Sequence, residues 1–197
     1  MARKPDIHAL SRLPPEYDEL VALGDAFLKP QHPISTAILG AVMVEHELDQ
    51  LLRSKLKHKD DQTWAKLIGD NGPLKTFSFK IAMGYALGMY DQRMHTDLNV
   101  VRNIRNAFAH SKKLIWFGHP AVLAELKKAS RSAILKKHWK SKGPDVYLYM
   151  SLCLRVSSKL IQMYNKRMKS RKYNPSPAEV AKALLKPLSQ LGHRAIP

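Results

Sequence analysis

The chain has one cysteine, Cys153, so no internal disulfide framework can form, and no CxxC or paired Cys/His spacing offers zinc a site. No run of 18 apolar residues occurs, and the stretch from Met1 to Arg12 lacks the apolar centre of a signal peptide, so neither a membrane span nor a secretory leader is expected. These absences point to a soluble protein in a reducing, cytoplasmic setting. No segment alternates β-branched with polar residues as a half-buried strand would. The glycines between Gly69 and Pro73 are not followed by GKS/T, which disfavours a phosphate-cradling loop and leaves a tight interhelical turn. Glu45-His46-Glu47 has no second histidine four residues on, and His58, His95, His119 and His138 show no ligand spacing. No metal or cofactor is therefore expected, and metabolic catalysis has little support.

Acidic residues are scarce in one half only. Residues 1–110 carry 14 Lys/Arg against 13 Asp/Glu, whereas residues 111–197 carry 19 against 3, so nearly all of the net charge of +17 is C-terminal. Between Lys127 and Lys172 fall 14 basic residues and one acid, Asp145. A polyanion is the simplest reason to tolerate such self-repulsion, and nucleic acid is the commonest polyanion. The expected contacts are Lys127, Lys128, Arg131, Lys136, Lys137, Lys140, Arg155, Lys159, Lys166 and Lys169. A solvated exterior, an anionic membrane surface and an acidic protein partner are the competing explanations. Trp139, Tyr147, Tyr149 and Tyr164 lie near these cations and suit either base stacking or core packing.

What is present reads as helix. At 197 residues, 45% of them hydrophobic, the chain is long and apolar enough to bury a full core. Pro14-Pro15 precede an amphipathic segment from Glu16 to Leu28, and Ser35 is the expected N-cap of a central helix running to about Lys57. In that helix Ile38, Leu39, Val42, Met43, Leu48, Leu51 and Leu52 make the expected apolar face. A short helix from Asp61 to Leu67, another from Thr76 to Leu87 broken at Gly88, and one from Asp91 to Ser111 follow. In the last of these, Met94, Leu98, Val101, Ile104 and Phe108 form one stripe. Trp116 to Pro120 is a candidate short extended piece. Gly143-Pro144-Asp145 starts a long helix on which Val146, Met150, Cys153, Leu160, Tyr164 and Met168, with polar Ser157 among them, fall within about 80° of arc. Arg155, Lys159, Lys166 and Lys169 lie opposite, predicting one core face and one purely cationic face; Cys153 is expected to be a packed thiol. Beyond Asn174-Pro175-Ser176-Pro177, Ala178 to Leu191 is weakly amphipathic. The predicted architecture is all-α, a single helical-bundle domain over 14–172 with a basic C-terminal helix and a C-terminal extension over 173–197.

Chemistry concentrates at the end of the Asp91–Ser111 segment. Arg102, Asn106 and His110, spaced by four, form a polar stripe with Arg105 beside it, combining cations, an amide and a group that titrates near neutrality. A structural network is the alternative, because a histidine near a helix C-terminus interacts well with the dipole.

Gly72-Pro73-Leu74, Phe77-Ser78, Lys80-Ile81, Tyr85-Ala86-Leu87-Gly88, Asp97-Leu98, Ile104-Arg105-Asn106 and Phe108-Ala109-His110-Ser111, in this order, closely resemble the mannitol operon repressor family of bacterial all-helical regulators. The resemblance covers roughly Leu20 to Phe117. It implies an all-α fold, oligomeric behaviour and transcriptional repression without an obvious helix-turn-helix. Lys75, where that family often has glycine, and the basic region after Lys127 depart from it. A looser resemblance is to the HEPN superfamily, whose ribonucleases carry an Arg, a polar residue, three variable residues and a His, the pattern of Arg105, Asn106 and His110. It implies metal-independent RNA cleavage at a dimer interface, with His110 as acid or base and Arg105 offsetting phosphate charge. The expected function is thus a nucleic-acid-associated transcriptional regulator acting as a homo-oligomer. The alternatives are a HEPN-like endoribonuclease and a protein-interaction module.

Overall fold

A computed structural model describes residues 18, 19, 22, 32–58, 60–69, 71–129 and 145–168. Most of the predicted Glu16–Leu28 helix, the extension over 173–197, and Arg131, Lys136, Lys137, Trp139, Lys140 and Lys169 lie outside them. Among the described residues the fold is all-α, with no strand. Six helices carry it: α1 (Pro33–Lys55), α2 (Asp61–Ile68), α3 (Phe77–Ala86), α4 (Gln92–His110), α5 (Pro120–Leu126) and α6 (Val146–Met168). α1 lies against α6, α4 and α3, and α4 in turn touches α3, α5 and α6, so α1, α4 and α6 form the trunk.

Local chemistry sets most of the helix ends. Asp60, Thr76 and Asp91 each accept a hydrogen bond from the backbone N–H three residues on, at 2.8, 3.3 and 2.9 Å, which satisfies donors that the first turn leaves open. Between α2 and α3 the chain turns so tightly that a Cβ on Gly72 would sit 2.1 Å from the Leu67 carbonyl oxygen, and only glycine fits. Gly88, at φ +61°, ends α3 in a conformation that other residues adopt at a cost.

Two expectations about α1 are corrected. Its first turn begins at Pro33, with His32 as N-cap and no side-chain cap, so Ser35 is not the cap. Proline suits that position, because its missing N–H would have no intrahelical partner there. The core face is also rotated from the one expected. Ala37, Gly40, Ala41 and Val44 are buried with Leu48, Leu51 and Leu52, while Ile38, Leu39 and Met43 are only half-buried and Val42 is exposed. The reason is the neighbour: Tyr149 of α6 is fully buried and donates a 2.7 Å hydrogen bond to the Ala37 carbonyl. Small residues on the first turns of α1 make room for the Tyr149 ring, and the large buried side chains of α1 follow at Leu48, Leu51 and Leu52.

The stripe on α4 agrees with the sequence, and that on α6 agrees in part, with Val146 and Tyr164 half-buried. Met94, Leu98, Val101, Ile104 and Phe108 are all buried on α4, as are Met150, Cys153 and Leu160 on α6. Burial on α6 is wider than predicted, taking in Leu148, Tyr149, Leu152 and Val156 as well. Trp116 to Gly118 form a turn leading into α5, not an extended strand.

Candidate nucleic-acid interface

Charges that fall on apolar stripes must find partners, and two pairs of helices are tied together this way. On α3, Lys80 shares the stripe of Phe77, Ile81 and Gly84, and its Nζ lies 2.8 Å from both Glu45 Oε1 and Asp49 Oδ2 on α1. Burial works against the ammonium, but the two carboxylates outweigh it and hold the Lys80 pKa above its ordinary value. Burial pushes the Asp49 carboxyl up to about 6 despite the Lys80 ammonium, and its Oδ1 is buried with no partner. Desolvation alone raises Glu47 to about 7. On α4, Asp97 is fully buried and receives Arg155 Nη1 of α6 at 2.8 Å, while Arg155 Nη2 and Ser157 Oγ are buried without partners.

The polar stripe occupies the other half of α4. Arg102 donates to Asn103 Oδ1 at 2.9 Å, Asn103 Nδ2 donates to Glu125 Oε1 at 2.8 Å, and Lys128 pairs with Glu125 Oε2. Burial tends to raise the Glu125 pKa, and these donors outweigh it, leaving the carboxyl below its ordinary value. Arg105, half-buried, donates from Nη1 to Asn106 Oδ1 at 3.0 Å. Asn106 is therefore occupied by its neighbour, and no hydrogen bond joins it to His110, which stands exposed on the last turn.

The loop after His110 is held at both ends and in the middle. Ser111 Oγ accepts from the Lys113 N–H at 3.1 Å and donates to the Lys113 carbonyl at 2.8 Å. His119 caps α5 by accepting from the Ala121 N–H at its Nδ1, 3.2 Å away, which leaves the ring proton on Nε2 when the imidazole is neutral. Phe117 is buried between Phe108 and Tyr149, with ring centroids 4.7 and 5.3 Å away.

Of the ten basic residues expected to meet nucleic acid, five are described. Lys127 and Lys128 are exposed where α5 ends, and Lys159 and Lys166 are exposed on α6. Arg155 faces inward to Asp97, so the described part of α6 has a narrower cationic face than its sequence predicted. Lys159 and Lys166 line a shallow cleft of about 330 Å³ with Gln162, Met163, Met94 and Asp91. Tyr149 packs in the core, Tyr147 is exposed, and Cys153 is a buried thiol whose pKa burial pushes up to about 12. Among the described residues no His/Cys/Asp/Glu group could hold a metal ion, and no helix is long and apolar enough to cross a membrane.

Three features escaped the sequence reading: the Lys80 triad, the Asp97–Arg155 pair and the outward-facing Trp116. The first two had a signal, because Lys80 and Asp97 each sit three or four residues from apolar neighbours on a core stripe. A family model described as "Mannitol repressor" matches residues 31–170, well over half of the chain and beyond the Phe117 limit of the motif resemblance. No curated protein and no solved structure matches.

Proposed function

We propose, on the premise that the chain belongs to the mannitol repressor family, that it is a transcriptional regulator that associates with nucleic acid through its C-terminal basic surface. The observation that carries this reading is the concentration of positive charge in residues 111–197, 19 Lys/Arg against 3 Asp/Glu. Among the described residues, no acid pairs with Lys159 or Lys166 on the exposed side of α6. Phosphate neutralisation by lysines releases counterions, so binding must weaken steeply with salt. In this reading the protein acts in the cytoplasm as a homo-oligomer. Phe79, Met83 and Leu87, exposed together on and just after α3, supply apolar surface for self-association.

The test is retention of DNA and RNA by the purified chain over a salt series. Binding that falls by orders of magnitude between dilute and physiological salt supports the reading, and Lys159→Ala/Lys166→Ala should flatten the slope. No retention even in dilute buffer refutes it, and preference for an acidic protein that nucleic acid cannot displace favours the interaction-module alternative.

A second reading, a metal-independent ribonuclease, is favoured by the exposure of His110 on the last turn of α4, five residues after the half-buried Arg105. There His110 would take a proton from a 2′-hydroxyl or return one to the leaving 5′-oxygen. RNA cleavage in EDTA by the wild type and not by His110→Ala would establish it. Salt-sensitive binding without cleavage, unchanged in His110→Ala, leaves the regulator.

A further inference from the structure

The loop that joins α4 to α5 points two large apolar side chains outward. Leu114 is 84% and Trp116 52% exposed, whereas Phe117 beside them is 4% exposed and wedged between aromatic rings of α4 and α6. A loop stapled by Phe117, by the Ser111–Lys113 hydrogen bonds and by the His119 cap holds its exposed ring in a fixed place. The Trp116 indole meets the His119 ring edge-on at 5.3 Å and passes close over Gly118. A Cβ on Gly118 would fall 3.3 Å from the indole Cδ1 and Nε1, and 2.8 Å from Asp145 Oδ2.

The surroundings are cationic. Lys112 and Lys113 are exposed on the N-terminal side of the indole, His110 just before them, and Asp145 is the nearby acid. Exposing an aromatic ring costs hydration, and lysines beside it would repel one another with no phosphate to neutralise them. An exposed ring in a loop tied at Phe117 and His119, with two exposed lysines just before it in the chain, matches what unpaired nucleic acid requires, a π-face for a base and ammonium groups for the adjoining phosphates. Duplex DNA has its bases stacked internally and offers no free face.

The geometry points to the loop over residues 111–119 as a binding site for single-stranded nucleic acid, with an unpaired base stacked on Trp116 and its flanking phosphates held by Lys112 and Lys113. This rests on the proposed association with nucleic acid and narrows its substrate class.

Fluorescence anisotropy of the full chain with labelled oligo-dT, oligo-U and a duplex tests both levels. Trp116→Ala should weaken the single strands about tenfold, the scale of stacking on one base, and leave the duplex within about twofold. Trp116→Phe should recover most of that loss, because a smaller ring still stacks. Lys112→Ala/Lys113→Ala should flatten the salt dependence by about two phosphate contacts. Comparing oligo-dT with oligo-U separates DNA from RNA at the same site. Thermal melts of the variants should match the wild type, since Trp116 lies outside the core. Single-strand binding by Trp116→Ala equal to wild type overturns the proposal while leaving salt-dependent association through α6 intact. Conversion of an oligomer to monomer by Trp116→Ala in sedimentation assigns the patch to self-association and also overturns it. Failure of the wild type to bind any of the three probes removes both the proposal and the reading beneath it.

Discussion

Replacing Asp97 with alanine should be the most damaging single change in the trunk. Asp97 is completely buried, and it receives a guanidinium whose side chain is 16% exposed and whose Nη2 is already buried without a partner. Removing the carboxylate leaves a largely buried cation without its partner, a loss of about 3–5 kcal/mol. That is a large part of the about 5–15 kcal/mol by which domains are stable, and a loss of 3 kcal/mol lowers the melting temperature by roughly 6–12 °C in a chain of this size. Arg155→Met leaves the fully buried Asp97 carboxylate without its cation and should cost on the same scale. The paired change Asp97→Leu/Arg155→Met should lie within about 1 kcal/mol of wild type, since apolar residues replace an ion pair whose desolvation nearly cancels its attraction. Urea denaturation of the wild type, Asp97→Leu, Arg155→Met and the pair closes the cycle, with Asp97→Ala measured beside them. A cost below about 1 kcal/mol for Asp97→Ala, or additive single and double changes, would refute the account of α4 and α6 as clasped by this pair.

Glu47 has a folded pKa of about 7, above its ordinary 4.5, so its protonated form favours the folded state, and its contribution is present below pH 4.5 and lost as pH rises to 7. Glu47→Gln should remove about 2–3 kcal/mol of that decline in urea melts at pH 5 and pH 8, and an unchanged slope contradicts the burial. Gly84→Ala would place a Cβ 2.6 Å from the Tyr90 hydroxyl, which donates to the Ile81 carbonyl at 2.7 Å, and overpacking there should cost about 2–3 kcal/mol by the same melts. Cys153, with its thiol pushed up to about 12, should resist a thiol reagent in the native protein and react fully in denaturant. Arg155→Met should change the salt slope of nucleic-acid binding less than Lys159→Ala, because Asp97 already neutralises the guanidinium.

Periodicity carried the fold where one helix face does one job. The stripe on α4 from Met94 to Phe108 was readable because its large apolar residues all point inward. On α1 the same method chose Ile38, Leu39 and Val42 over Ala37, Gly40 and Ala41, since hydrophobicity ranks side chains by size and the deciding property was smallness opposite Tyr149. Arg155 was assigned outward by angle alone. Its true direction depends on Asp97, 58 residues away, and no local pattern encodes that pairing. Trp116 was missed for a related reason. A turn gives no period, and whether an aromatic in it faces in or out depends on Phe117 taking the slot between Phe108 and Tyr149.

The inward turn of Arg155 changes how the positive charge can act. α6 buries residues around most of its circumference, and in its described length the exposed cations reduce to Lys159, Lys166 and Arg167 on one strip toward its C-terminal end. Three charges release too few counterions for a steep salt dependence. If the measured slope corresponds to many more phosphates than these cations can neutralise, and it falls in Lys112→Ala/Lys113→Ala, part of the difference comes from Lys112 and Lys113 at the far end of the bundle, beside the lysines and arginines from 131 to 142 and beyond 168 and other exposed cations such as Arg93. The end of α4 and its loop would then lie on the path of the polymer, with α6 as one border of the bound surface and not its centre. A slope of three or fewer, unaffected by changes at Lys112 and Lys113, would confine contact to the α6 strip and detach the loop from it.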